Sequence, residues 1–181
     1  MRHLGLMALL ATLLLSGCAG AGAPRPIVVG TTSDIVSLDP ASTSDATTTA
    51  FLHQLYPRLV ELDAATGEID LSLAESADFT SDTEYTVTLP TGLEFPNGDD
   101  LTASDVVFSF RLLRDEGAPF YAAYYADVTS AQAIDEDTVR FDFAAQNSRE
   151  LPLILGQLPI LPEHYWKGRD FTTPTLDPLL G

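Results

Sequence analysis

A single cysteine, Cys18, is present in 181 residues, so no intrachain disulfide can form and a small cross-linked secreted scaffold is excluded. Positive charge is equally scarce. Nine Lys and Arg stand against 26 Asp and Glu, a formal net charge of −17, which argues against a nucleic-acid partner. The longest apolar run, residues 4–15, is shorter than the ~20 residues that cross hydrocarbon as a helix. Only three histidines occur, His3, His53 and His164, and none has a metal-type partner four residues on. Asn97-Gly98-Asp99-Asp100 lacks the alternating donors and distal glutamate of a calcium loop and reads as a turn. There is no Gly-x-Ser-x-Gly elbow and no phosphate loop. No catalytic residue, metal or cofactor is therefore expected, although a hydrolase working through two unmarked carboxylates stays open as an alternative.

What is present begins with a leader. Arg2, the apolar run after it and the small pair Ser16-Gly17 have the three-part layout of a signal peptide. Leu15-Ser16-Gly17-Cys18 resembles the lipobox of bacterial lipoproteins, which implies cleavage before Cys18 and lipid on that cysteine. Residues 18–26, small and Gly/Pro-containing without periodicity, read as a flexible tether. The chain is 45% hydrophobic, and residues 27–181 carry regular turn signals, so this part is globular, of about one domain.

Within this part, Ile27-Val28-Val29-Gly30-Thr31 reads as a strand running into a polar loop through Asp34. Phe51, Leu52, Leu55, Tyr56 and Leu59 recur at helical spacing up to or beyond Pro57. Residues 63–67 make a hairpin connection, and residues 69–73 resume as an extended segment. Tyr85, Val87 and Leu89 alternate with polar residues as a half-buried antiparallel strand. Thr102 and Asp105 form a capping box, opening a helix whose stripe of Val106, Val107, Phe110 and Leu113 should pack on the strand before it. An aromatic connection over 120–125 then leads to two strands, 128–134 and 138–143. Short helices are expected over 149–156 and after Pro162, and residues 173–181 contain nothing that would seal a core. The C-terminus therefore reads as a truncation.

Four segments resemble the family 5 extracellular solute-binding proteins of peptide-type ABC importers. They are the stretch ending in Ser37-Leu38-Asp39-Pro40, the marker Leu73-Ala74-Glu75-Ser76, the long string 91–110, and 135–171 with Leu158-Pro159-Ile160-Leu161-Pro162. The last is similar to the branch that imports oligopeptides and microcin C. Two departures stand out: Ala77 replaces a usual tryptophan, and Pro57-Arg58 an acidic-glycine pair.

The resemblance implies a mixed α/β fold of the class II periplasmic-binding-protein type, with only part of the first lobe present. It also implies an oligopeptide ligand, ABC permease subunits as partners, a periplasmic location by lipid anchor, and a monomer without enzymatic activity. On that model Asp34, Ile35 and Val36 offer backbone contacts to an extended ligand, and Tyr121 and Tyr124 are candidate cleft aromatics, with core packing as the competing role of the tyrosines. Tyr165 and Trp166 read as structural. A lipoprotein remnant with a structural or interaction role, and no transport activity, remains the third possibility.

Overall fold

The computed structural model describes residues 30–31, 33–42, 45–63, 65–144, 150–170, 173–177 and 179–180. The leader, Cys18, the tether and residues 27–29 of the expected first strand lie outside these residues. The chain divides into two units, Met1–Thr31 and Thr32–Gly181. Of the first only residues 30 and 31 are described, and they form neither helix nor strand. The second holds every described helix and strand.

Its centre is a four-stranded antiparallel sheet of β3 (Ser76–Phe79), β4 (Glu84–Thr88), β5 (Val128–Ala133) and β6 (Thr138–Phe143), in the order β3-β4-β6-β5. Register places Tyr85 opposite Phe141 and Val87 opposite Val139, so the alternating apolar residues of both strands share one face. On the other face Arg140 lies between Glu84 and Asp142, at 3.6 and 3.5 Å. A two-stranded hairpin, β1 (Glu61–Leu62) and β2 (Ile69–Asp70), stands apart from this sheet. Its turn is closed by the Asp63 carboxylate, which accepts the N–H of Ala65 and of Thr66, and by Gly67 at φ 73°. The extended segment expected through residue 73 pairs only at 69–70.

The long helix α2 (Ala103–Glu116) covers the apolar face. Its capping box forms as expected, the Asp105 carboxylate accepting the Thr102 N–H at 2.9 Å. Val106, Val107, Phe110 and Leu113 are buried. The stripe meets β5 and β6 rather than β4, however: Phe110 packs edge-on to Phe141, and Arg111 donates to the Ala131 carbonyl. Sequence adjacency misleads here because β6 intervenes between β4 and β5 in the sheet.

Three other expectations change. Helix α1 (Ala46–Leu52) starts earlier than the apolar spacing suggests, with Asp45 accepting the Thr48 N–H as its cap, and stops a full turn before Pro57. The chain tightens there, with Gln54 and Leu55 donating to Phe51 and Leu52, because the residue before a proline is kept out of helical geometry. Tyr56 and Leu59 are buried all the same, as loop residues. The aromatic connection contains a one-and-a-half-turn helix, α3 (Pro119–Tyr124), started by a proline in its first turn. Strand β3 was not legible at all, since Ser-Ala-Asp-Phe at a sheet edge has no alternation to read.

Helices α4 (Leu151–Gly156) and α5 (Glu163–Trp166) appear where expected. Between them residues 157–162 are clamped onto α2: the Leu161 N–H donates to the buried Ser109 hydroxyl at 2.8 Å, and the Glu163 N–H to Asp105 at 2.9 Å. Residues 173–177 and 179–180 form no element, yet the last two close part of the core. The Trp166 indole, 1% exposed, donates to the Leu180 carbonyl at 2.7 Å, and Leu179 packs on the core. Trp166 is thus structural.

Candidate functional site

The loop 37–41 is the anchor of the site. Ser37 accepts the Asp39 and Thr175 N–H groups, and the buried Asp39 carboxylate accepts the Ala41 N–H at 2.8 Å. Two tyrosines hold the loop from below, Tyr56 donating to the Leu38 carbonyl and Tyr121 to the Pro40 carbonyl, both at 2.9 Å. Burial pushes the Tyr121 hydroxyl up to about 12, with the Asp39 charge adding to the effect and Arg58 opposing it. The same burial raises Tyr56 and the Asp39 carboxyl. These tyrosines are neutral donors whose protons are already committed to the fold.

Beside the loop runs a groove of about 530 Å³, lined by Thr49, His53, Phe120, Tyr121, Tyr124, Tyr125, Ile154 and Gln157. Its walls come from α1, α3 and the end of α4; the Tyr121 contact ties α3 to loop 37–41, and the Gly156 carbonyl, accepting the Val60 N–H at 3.2 Å, holds α4. The rings form a platform: Phe120 lies tilted against Tyr121 at 4.1 Å between centroids, Tyr124 meets Phe120 edge-on at 5.6 Å, and Tyr121 stacks on Tyr125 at 6.1 Å. Tyr124 is 56% exposed and presents its ring to any occupant. A smaller cavity of about 40 Å³, bounded by Tyr56, Arg58 and Pro159 among others, shares Thr49, His53, Tyr121 and Gln157 with the groove.

The structure brings the two expected aromatics, Tyr121 and Tyr124, into the lining of one groove, with Tyr121 half-buried. It does not place Asp34, Ile35 and Val36 in that lining. Asp34 and Val36 are exposed and Ile35 half-buried, and the Val36 N–H is taken by the Thr48 hydroxyl at 3.1 Å. His53, Gln157 and Arg58 carry no local signal: the first two cap α1 and α4, Arg58 lies in the loop after α1, and only the tertiary fold brings them together. Among the described residues no group of three His, Cys, Asp or Glu is arranged to hold a metal ion, and no helix is long and apolar enough to cross a membrane. A groove of this composition can bind by aromatic contact and hydrogen bonding.

Residues 68–181 match the model of the bacterial extracellular solute-binding proteins, family 5. A probable peptide-binding protein, YejA, of Agrobacterium fabrum is 39% identical over 117 residues, 60% of this chain and 19% of that protein. Among solved structures, the periplasmic oligopeptide-binding protein of Thermotoga maritima, with mannohexaose bound, is 30% identical with a TM-score of 0.59 over 65% of this chain and 22% of its own. The ABC transporter substrate-binding protein CtaP of Listeria monocytogenes is 27% identical with a TM-score of 0.65, over 76% and 28%. The chain thus spans 19% to 28% of the length of these three proteins. The mixed α/β fold is that of the class II periplasmic binding proteins.

Proposed function

We propose that this chain, which belongs to the bacterial extracellular solute-binding proteins of family 5, forms one wall of the cleft in an oligopeptide-binding component of an ABC importer. In this reading residues 1–17 are a lipoprotein signal, residues 18–26 a tether from lipidated Cys18, and residues 27–181 the N-terminal portion of the first lobe. The protein captures peptides at the cell envelope, in the periplasm, and presents them to a membrane permease as a monomer.

The observation that carries this reading is the aromatic groove beside loop 37–41, open along one side and ringed by Phe120, Tyr121, Tyr124 and Tyr125. A tyrosine wall supplies contact area at low entropic cost and tolerates varied side chains, as a general peptide binder requires. Asp34, Ile35 and Val36, outside that wall, are in this reading the backbone contacts to an extended ligand from the loop before α1, although the Val36 N–H is already bonded to Thr48. The peptide-binding relative from Agrobacterium supports the ligand class. An oligosaccharide is the second reading, favoured by the exposed Tyr124 ring and by the mannohexaose in the Thermotoga protein.

Mass spectrometry of small molecules retained by the purified protein separates these outcomes. Intact peptides support the proposal, glycans support the second reading, and cleaved peptides point to a hydrolase. The anchor is tested separately by substituting Cys18→Ala, which should release the protein from the membrane fraction and abolish the lipid mass at the N-terminus. A Cys18→Ala protein that stays with the membrane refutes the anchor.

A further inference from the structure

Arg58 is 8% exposed, in a chain with abundant carboxylates. Its backbone is engaged, the carbonyl accepting the Leu73 N–H and the residue bridging to Pro159. Its guanidinium is not. The ion pairs among the described residues join Arg114 to Asp115, Arg140 to Glu84 and Asp142, His164 to Asp99, and Lys167 to Glu163. None includes Arg58, and its side chain makes no hydrogen bond among these residues. Burial lowers its proton affinity, and Glu61 and Tyr121 offset this only through space. A cation mostly removed from water without a paired anion among the described residues is costly to the fold, and the guanidinium nitrogens keep enough contact with solvent for a ligand to reach them.

Its position suggests the use. Arg58 bounds the 40 Å³ cavity that shares Thr49, His53, Tyr121 and Gln157 with the aromatic groove. That space admits a carboxylate or a few waters. A guanidinium offers two parallel N–H groups that match a carboxylate, and the low local dielectric strengthens the pair. The chain's net charge of −17 repels acids generally, so an anionic group would be favoured only at such a point.

We infer that Arg58 is the carboxylate-receiving residue of this groove, pairing in the side cavity with an acidic end or acidic side chain of the bound peptide. The inference rests on the peptide-binding reading above for its ligand.

Titration calorimetry on the chain and on Arg58→Gln tests it with Ala-Ala-Ala, its C-terminal amide, Ala-Glu-Ala-amide and sodium acetate. The expected result is that one of the two carboxylate peptides binds at least about tenfold tighter than Ala-Ala-Ala-amide, and that Arg58→Gln brings the ratio near one. Which peptide gains identifies the end or the side chain. Equal binding of all three by the unaltered chain overturns the inference and leaves the peptide reading standing. If no peptide binds, the peptide reading falls, and acetate decides the anion site: saturable binding lost in Arg58→Gln keeps it, and no saturable binding overturns it. Thermal melting guards against misfolding. Without ligand, Arg58→Gln should melt at or above the unaltered chain, and a clearly lower melting temperature shared by Arg58→Lys would mean an internal partner and overturn the inference.

Discussion

Gly156 closes α4 against Val60, and replacing it with alanine tests how the groove is assembled. The Val60 N–H donates to the Gly156 carbonyl at 3.2 Å, and Val60 is 3% exposed. A methyl at position 156 would overlap Val60 Cγ2, and would stand 3.2 Å from Val60 Cβ and 3.5 Å from its carbonyl oxygen. Carbon pairs rest at about 3.5–4.0 Å, so either Val60 leaves its rotamer or α4 lifts. Overpacking of this kind costs about 1–3 kcal/mol, while alanine's helix preference returns at most about 1 kcal/mol and less at a helix end. The clash wins, and Gly156→Ala should lose about 1–2 kcal/mol by urea denaturation, seen as a lower midpoint at unchanged slope. Val60→Ala alone should cost about 1–3 kcal/mol through lost burial. The double variant removes the obstacle, so it should cost at least about 1 kcal/mol less than the sum of the singles. Full additivity, or a Gly156→Ala protein as stable as the parent, would falsify this packing of α4 on Val60. Because Gln157 and Pro159 come directly after it, Gly156→Ala should also weaken ligand binding.

Asp105→Ala should cost about 2–4 kcal/mol, because it strips acceptors from the N–H groups of Thr102 and Glu163. Asp105→Asn keeps one oxygen acceptor but turns its NH2 against the other N–H, so it should still lose most of that amount in the same urea titration; an Asn variant as stable as the parent would contradict the two-acceptor geometry. Alkaline pH should unfold the chain early. Burial holds Tyr85 and Tyr121 up to about 12 and raises Tyr56 and Tyr125 as well, whereas unfolded tyrosine ionises near 10. The native state therefore keeps protons that the unfolded state releases, and stability is complete below pH ~10 and falls as pH rises through ~12, by up to about 1.4 kcal/mol per pH unit per tyrosine. Ionisation of more than two of the six tyrosines near pH 10 without loss of structure would contradict this. Tyr124→Ala should change stability by less than about 0.5 kcal/mol, since the side chain is largely exposed, yet weaken peptide binding about tenfold in calorimetry.

Where one face of an element is buried, sequence pattern and structure agree. Tyr85, Val87, Val139, Phe141 and Phe143 alternate because each strand has one wet side, and Val106, Phe110 and Leu113 recur because one stripe of α2 meets the sheet. The same logic fails for β3, whose exposed edge imposes no pattern, and for Leu55, Tyr56 and Leu59, where Leu55 is exposed and the other two are buried by loop contacts at an accidental helical spacing. The site is less legible still. Tyr121 and Tyr124 could be picked out as aromatic, but the partners that give them a groove are contributed by α1 and by residue 157, through contacts spanning as many as 81 residues between Pro40 and Tyr121. Ser109 was passed over because a serine on a helix looks solvent-facing. Here its hydroxyl accepts the Leu161 N–H, in a buried joint that no local pattern encodes.

The groove's polar groups are unequal in what they can offer a ligand. The Tyr121 proton is committed to Pro40, and in the side cavity the Tyr56 proton is committed to Leu38. Fixed in this way they cannot reorient toward one particular ligand, which lowers the ordering cost of binding and leaves ring surface as the general contact. Such a wall discriminates weakly among neutral side chains, because area burial alone separates ligands by little more than their size. Arg58 differs from all of them, being buried and unpaired among the described residues. An uncompensated charge rewards a single ligand chemistry far more than ring contacts can, and penalises a neutral group placed against it. Selectivity at this wall should therefore follow the charge of the ligand rather than its sequence, a pattern that a panel of equal-length peptides differing only in carboxylate number would reveal as a step and not a gradual slope.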